Sequence, residues 1–189
     1  MKNKFAFITI SLLMITSIAS YGQKKEIKTS ESTINWTGKK VTGEHTGTLK
    51  FSKGHLSLNG DTITGGEFVV DMTTLSVTDL ETGKGKEKLE GHLTSDDFFG
   101  TTNHKSSKLV ITKATKQSGD TYKMEGDLTI KGITNPITFD LKVAENSAST
   151  TLSIDRTKYN IKYGSGSFFD NLGDKAIYDE FELAINLKM

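Results

Sequence analysis

Four histidines are the first residues of this chain that could do chemistry, because imidazole binds metals and transfers protons near neutral pH. They are His45, His55, His92 and His104. No two of them lie two or four residues apart, and the chain has no cysteine that could complete a zinc site. The spacing therefore predicts that the protein holds no metal.

Two glycine-containing segments and one acidic pair match catalytic motifs only in part. Residues 83–86 read Gly-Lys-Gly-Lys, without the length and the closing Ser or Thr of a phosphate-binding loop. Residues 164–167 read Gly-Ser-Gly-Ser, which lacks the spacing of a nucleophile elbow. Adjacent Asp96 and Asp97 suit a capped turn better than an acid–base pair. The sequence predicts no catalytic residue and no cofactor, and this favours a binding function.

The elements that must position a binding site are β-strands. Apolar and polar residues alternate along much of the chain, most clearly over residues 122–143. Side chains of a strand point alternately to two faces, so each such segment has one apolar and one solvated face. Residues 122–130 and 137–143 predict an antiparallel hairpin, with a turn at residues 131–136 between them. Pro136 is expected where the second strand begins.

About eight or nine strands and one short helix follow from the same pattern. Residues 84–93 are rich in helix formers, and together with the loop that follows they are expected to cover one end of the sheet. Adjacent Gly65 and Gly66 predict a bulge or a sharp bend in a strand. Residues 149–155 predict a strand that residues 159–163 extend.

The predicted fold class is therefore all-β, and an eight-stranded antiparallel barrel is preferred over a sandwich. Nearly every strand has one apolar face, and these faces must enclose a common interior. Closure into a barrel also removes unpaired strand edges. An eight-stranded barrel is wide enough to hold one small ligand, although inward aromatic residues can equally fill the interior as a core.

Residues 1–22 predict a secretory signal peptide, and residues 23–189 the folded domain. Lysines near the start precede an apolar run, and small residues occupy the positions that favour cleavage after Gly22. The apolar run has about 14 residues, fewer than the roughly 20 that span a bilayer. We therefore expect a periplasmic or secreted protein without stable membrane insertion.

The composition excludes other classes of protein. The chain of 189 residues has a formal net charge of +1, which is too near neutral to predict binding to nucleic acid. The chain has no cysteine, so disulfides and thiolate chemistry are excluded. Stability must therefore come from the packed interior.

Five motifs, in order along the chain, resemble the YceI-like family. They are Trp-Thr-Gly-Lys-Lys-Val-Thr-Gly-Glu-His-Thr-Gly at 36–47, Gly-Gly-Glu-Phe-Val-Val-Asp-Met at 65–72, Leu-Thr-Ser-Asp-Asp-Phe-Phe at 93–99, Gly-Asp-Leu-Thr-Ile-Lys-Gly-Ile-Thr-Asn-Pro at 126–136 and Ile-Asp-Arg-Thr-Lys-Tyr at 154–159. The resemblance implies an extended, lipocalin-like barrel whose pore holds a polyisoprenoid, an isoprenoid quinone or a similar long-chain lipid. It also implies a periplasmic or secreted protein, often a homodimer, without catalytic activity.

The inward pattern and the resemblance together select the candidate ligand-binding residues. His45 and Arg156 are the polar members of this set, and they are expected beside a lipid head group. His45 could equally be a loop residue, and Arg156 could pair with Asp155 or another carboxylate. The full set is Trp36, His45, Phe51, Phe68, Val70, Phe98, Phe99, Leu128, Ile130, Phe139, Leu141, Ile154, Arg156 and Phe181.

The segment after the paired phenylalanines departs from the family pattern. His104, Lys105 and Leu109 stand where the family commonly runs through Tyr-Pro to Phe, so a more polar rim is expected. Two other functions fit the same barrel. One is an enzyme whose acid or base is Asp71, Arg156 or a histidine, and the other is a stress-response or surface-interaction protein with a packed interior.

Overall fold

A computed structural model describes residues 22–189, so almost all of the predicted signal peptide lies outside the described residues. Two short 3-10 helices, Arg156–Tyr159 and Gly173–Lys175, lie between the last two strands. Within residues 22–189, no helix is long and apolar enough to span a bilayer. The strands and the helix are β1 Gln23–Glu26, β2 Thr33–Lys40, β3 Gly43–Asn59, β4 Thr62–Val77, α1 Lys86–Thr94, β5 Ser106–Lys116, β6 Thr121–Ile130, β7 Ile133–Ala144, β8 Ser147–Asp155 and β9 Ile177–Lys188.

Strands β2 to β9 form a closed antiparallel barrel. Their order is β3-β2-β9-β8-β7-β6-β5-β4, and β4 returns to pair with β3. Strand β1 lies outside this circuit and pairs only with the second half of β3. The predicted eight-stranded barrel with one short helix is confirmed, and β1 is an additional ninth strand.

The alternation in β6 shows why the barrel forms. Met124 and Leu128 point inward and are buried, whereas Lys123 and Asp127, each one residue before them, are exposed. Burying a side chain such as Leu or Met contributes about 1.5–3 kcal/mol. Since the same alternation recurs around the barrel, the strands are stable only when their apolar faces meet inside.

The interior side chains form two clusters, one at each end of the barrel. The far-end cluster lies away from α1 and includes Phe51, Leu56, Phe68, Met124 and Leu141. The helix-end cluster includes Phe98, Leu128, Ile154, Tyr159 and Ile161.

The turn of the β6–β7 hairpin is shorter than the sequence predicts. It contains only Lys131 and Gly132, whose φ angles are 51° and 76°. Two consecutive residues with positive φ match the twist of the flanking strands, so a two-residue turn suffices. Residues 133–136, predicted as turn, belong to β7, and Pro136 lies inside that strand opposite Asp127.

The predicted extension of β8 through residues 159–163 is wrong. The strand ends at Asp155, whose carboxylate accepts the backbone N–H of Thr157 at 2.9 Å and its hydroxyl at 2.6 Å. This cap starts the 3-10 helix, and Asn160 then turns the chain with a φ of 59°. Local side-chain hydrogen bonds therefore override the alternation of Tyr159 and Ile161.

Strand β3 runs unbroken for 17 residues although glycines interrupt its apolar pattern. Gly47 lies beneath the indole of Trp36, and Gly54 lies beneath the ring of Phe68. Each glycine leaves the room that the neighbouring aromatic ring occupies. The predicted bulge beside Gly65 is confirmed, since the β3–β4 register shifts there.

Candidate functional site

An elongated apolar cavity lies inside the barrel between the two clusters. Its only polar lining residues are Ser107, Lys108 and Thr150. The side chain of Lys108 is 48% exposed, and its amine lies 4.0 Å from a carboxylate oxygen of Glu67. The cavity therefore presents an almost wholly apolar surface to anything inside it.

The cavity is long and narrow. The β6 residues that line it run from Met124 to Ile130, which is roughly 20 Å along a strand. It offers about 120 Å3 to the centre of a water-sized molecule. Spread over that length, this volume leaves room for about the width of one hydrocarbon chain. The shape suits a linear chain better than a bulky ring system.

One end of the cavity is covered by α1 and the loop that follows it. Leu93 and Phe99 line the cavity from this side, and the Phe99 ring meets Phe181 edge-on with centroids 6.1 Å apart. The helix is fixed to the barrel because Glu90 accepts the backbone N–H of Val77 at 2.8 Å. The predicted covering of one end by the helix and loop is thus observed.

Most of the predicted ligand-binding residues lie in the cavity wall. Each of them is on an inward position of a strand, except Phe99 in the covering loop. Leu109, from the segment that departs from the family pattern, lines the cavity too. The predicted residues that do so are Trp36, Phe51, Phe68, Val70, Phe99, Leu128, Ile130, Phe139, Leu141 and Phe181.

The sequence-based set omitted other lining residues. Leu183, Ile185 and Leu187 alternate along β9 as Phe181 does, so the same pattern could have identified them. Met72 continues the alternation of Phe68 and Val70, so the pattern could have identified it too. Leu75 lies where the β3–β4 register shifts, so its spacing gave no signal.

Phe98 and Ile154 lie outside the cavity lining although both are buried. Phe98 packs beside Phe99, with ring centroids 6.2 Å apart, and against His92 at 4.9 Å. Ile154 lines a separate groove in the barrel wall, between β7 and β8. Phe98 therefore supports the covering loop, whereas Ile154 borders an opening in the wall.

His45 lies at the rim, outside the cavity lining. Its Nδ1 is 2.8 Å from Oδ2 of Asp79, and the backbone N–H of Thr46 donates to Oδ1 at 2.9 Å. Partial burial of Asp79 opposes its ionisation, but these two hydrogen bonds hold its pKa below the ordinary value. The contact between His45 and Asp79 thus joins the start of β3 to the segment after β4.

Arg156 is buried, with 3% exposure, and also lies outside the cavity lining. Its guanidinium donates to the carbonyl of Ile161 at 2.8 Å and to those of Ile177 and Tyr178 at 3.0 Å. Nη2 lies 3.5 Å from Oδ1 of Asp179. Burial lowers the pKa of Arg156 and the charge of Asp179 opposes this, but a guanidinium stays protonated. Arg156 thereby fastens the segment 156–178 to the barrel. Of the two roles that the sequence left open for Arg156, the structure shows the pairing with a carboxylate, here Asp179.

Asp179 gives a test of this anchoring through pH. Burial opposes its ionisation, but hydrogen bonds from Ser165 and Ser167 and the charge of Arg156 hold its pKa below the ordinary 3.8. A carboxyl whose pKa is lower in the folded state stabilises the protein above 3.8, and this contribution is lost as the pH falls through the folded-state pKa. We expect Asp179→Asn to lower the melting temperature at pH 7. The difference from the parent should shrink towards zero near pH 2, and an equal difference at both pH values would contradict the prediction.

The indole nitrogen of Trp36 is buried without a hydrogen-bond partner, which the sequence did not predict. Among the described residues, its indole Nε1 is the only buried side-chain nitrogen or oxygen without a hydrogen-bond partner. An unpaired buried donor costs about 1–3 kcal/mol. The ring nevertheless contributes to the cavity wall and covers Gly47, so its apolar area outweighs this cost.

The described residues contain no group of three or more His, Asp or Glu side chains that could hold a metal. His45 is paired with Asp79, and His92 packs against the rings of Phe98 and Tyr163. These two imidazoles are thus used in contacts at the helix end of the barrel.

Known proteins resemble this chain in sequence. The family model of the YceI-like domain matches residues 26–189. A Staphylococcus aureus protein of the UPF0312 group is 40% identical over 88 residues, covering 41% of this chain and 48% of that protein. Protein YceI of Shigella flexneri is 33% identical over 70 residues, covering 37% of this chain and 35% of that protein. The chain thus aligns with about half or less of the length of these curated relatives.

Solved structures share the fold at low sequence identity. The crystal structure of Burkholderia cenocepacia BcnA is 20% identical with a TM-score of 0.70, covering 85% of this chain and 98% of BcnA. A polyisoprenoid binding domain from Saccharophagus degradans is 14% identical with a TM-score of 0.60, covering 89% of this chain and 99% of that domain. These similarities support the architecture of the barrel.

Proposed function

The chain belongs to the YceI-like domain family, and from this premise we propose that it carries a linear apolar lipid inside its barrel without altering it. The observation that carries the proposal is the long cavity whose wall is almost wholly apolar. One neighbour in fold is described as a polyisoprenoid binding domain, which supports a lipid of this kind. A polyisoprenoid, an isoprenoid quinone or a fatty-acid-like chain has the required shape.

The energetics of the cavity favour an apolar chain. Transfer of apolar surface from water contributes about 25 cal/mol per Å2, or roughly 0.8 kcal/mol per methylene. A chain along most of the cavity would therefore bind without strong polar contacts, even after the cost of ordering it. Selectivity should follow the length and shape of the chain more than its head group.

The site suits binding better than catalysis. Catalytic acids and bases need a titratable group that faces the substrate, often with a perturbed pKa. Asp71, which the sequence left open as a catalytic residue, instead accepts the N–H and the hydroxyl of Thr73 at 2.9 and 2.6 Å. These hydrogen bonds hold its pKa below the ordinary value, as expected for a structural turn.

Export completes the proposal. An apolar run with small residues at a cleavage site supports removal of residues 1–22 and release to the periplasm or the outside of the cell. A carrier of this kind would keep a poorly soluble lipid in solution between membranes.

Native mass spectrometry of the protein purified from its exported fraction tests the proposal. We expect a chain that begins at Gln23, with added mass that organic extraction removes and that matches a long-chain lipid. The same spectrum gives the oligomeric state, for which the family resemblance predicts a dimer.

Extracted protein provides the control for this experiment. It should keep its circular dichroism spectrum and regain the added mass when it is mixed with isoprenoid quinones or fatty acids. Folded protein that neither carries nor takes up any such lipid would show that the interior is only a core.

A further inference from the structure

The barrel wall is incompletely joined between β7 and β8. These strands pair only from Lys142 to Ala144 on β7 and from Ser147 to Ser149 on β8. By contrast, β7 pairs with β6 from Ile133 to Lys142, and β8 pairs with β9 along its whole length. Within the described chain, residues 136–141 and 150–155 therefore face each other without a strand ladder.

The backbone groups along this seam point at each other, which shows that the strands are poised to pair. Val143 donates its N–H to the carbonyl of Asp120, so odd-numbered residues of β7 bond towards β6 and even-numbered ones face β8. Continuing the register from Lys142 and Ser149 would place Thr138 opposite Ser153. Pro136 also takes a seam-facing position, where it offers no N–H to β8.

The seam leads into the cavity. A groove along it is lined by residues 137–140 and 151–154. Phe139 and Leu152 line both this groove and the internal cavity. These two side chains therefore separate the cavity from solvent at the seam.

Side-chain hydrogen bonds bridge the two margins of the seam. The hydroxyl of Thr150 donates to the carbonyl of Asp140 at 2.7 Å, next to the short ladder. The amide of Asn135 donates to the carbonyl of Lys158 at 3.0 Å, beyond the other end of the groove. Between these bridges the opening is roughly 17 Å long at the rise of a strand, enough for an extended chain to pass sideways.

We propose that the β7–β8 seam is the portal through which the lipid enters and leaves the barrel, an inference that rests on the proposed carrier function. Buried members of the far-end cluster that do not line the cavity, such as Leu56 and Tyr122, pack beyond one end of it, and the covering loop closes the other end. Opening elsewhere in the wall would break strand hydrogen bonds, each of which stabilises the fold by about 0.5–1.5 kcal/mol. At the seam, rotation of Phe139 and Leu152 and loss of the Thr150 bridge suffice.

A cross-link across the seam tests the portal. The chain has no cysteine, so Thr138→Cys/Ser153→Cys can be joined selectively by a cleavable bis-maleimide. Both side chains are exposed and face away from the cavity. With cis-parinaric acid loaded before cross-linking, we expect its release into excess isoprenoid quinone to slow at least tenfold. Cleaving the linker should restore the original rate.

Thr129→Cys/Thr134→Cys is the matched control. These residues are Cα partners across the fully paired β6–β7 hairpin, and their hydroxyl oxygens are 2.8 Å apart. A cross-link there should leave the release rate unchanged. Equal release from both cross-linked proteins would overturn the portal while leaving the carrier function intact. Failure of the uncross-linked protein to bind either lipid would instead overturn the carrier function, and the portal with it.

A second variant tests the portal without a cross-link. Asn135→Ala removes the hydrogen bond from the side-chain amide to the carbonyl of Lys158, and Asn135 does not line the cavity. A change at a portal alters association and dissociation equally, so we expect both rate constants for cis-parinaric acid to rise severalfold at constant Kd. A change in Kd with an unaltered association rate would contradict the role of Asn135 at the seam.

Discussion

Replacing Phe139 by aspartate is expected to abolish lipid retention. Phe139 lies near the middle of β7, lines the cavity and borders the seam. A carboxylate there would either lose its hydration against the apolar chain or be forced into its neutral form, and each costs several kcal/mol. Since 1.4 kcal/mol is a factor of ten in Kd, we expect affinity to fall at least a hundredfold. Competition against cis-parinaric acid fluorescence measures the loss.

Thr138→Asp is the matched control for this experiment. It adds the same charge one residue earlier, on a side chain that is exposed on the outer face of the same strand. We expect it to bind lipid as the parent does, and circular dichroism should show both variants folded. Unchanged affinity in a folded Phe139→Asp protein would mean that the lipid does not occupy the cavity. Phe68 is a poorer site for this test because it packs against Phe51 in the far-end cluster, where a charge would unfold the barrel.

The sequence predicts the lining well wherever a strand alternates without interruption. Leu128, Ile130 and Leu141 follow the period of two, and the structure places all three in the cavity wall. The pattern is reliable there because burial on one face selects apolar residues whatever the neighbouring strand contributes. It is weaker in β3, where Gly47 and Gly54 leave space for rings from other strands and so carry no hydrophobic signal of their own.

The roles of Arg156 and of the seam could not be predicted in this way. The acceptors of Arg156 are backbone carbonyls of residues 161, 177 and 178, and any residue type provides a carbonyl. The alternation of β7 and β8 is likewise the same whether or not a ladder joins them. Periodicity identifies the face that a side chain takes, whereas pairing depends on the path of the whole backbone. Pro136 was the one local sign, since a proline tolerates an unpaired strand edge.

Gly47 packs against the Trp36 ring on the side away from the cavity. Gly47→Ala is expected to destabilise the barrel strongly. A Cβ at this position would lie 1.9 Å from the carbonyl oxygen of Ser76 and 2.4 Å from two ring atoms of Trp36. Neither neighbour can yield easily, because Ser76 pairs with Thr48 in the β3–β4 ladder and Trp36 is buried. Overpacking of a rigid site costs about 3 kcal/mol, which corresponds to a melting temperature lower by roughly 6–12 °C.

Gly38→Ala separates this steric effect from the general effect of replacing a strand glycine. A Cβ on Gly38 would meet only Cζ3 of Trp36, at the ordinary contact distance of 3.9 Å. Alanine also restricts the unfolded chain, so this variant should be as stable as the parent or slightly more stable. Thermal unfolding of both variants measures the difference. Similar melting temperatures for Gly47→Ala and Gly38→Ala would show that the Trp36 ring can move away from β3. The cavity wall would then be more deformable than its packing indicates. A large drop for Gly47→Ala alone would mean that the wall holds its shape, so that a lipid chain must conform to the cavity.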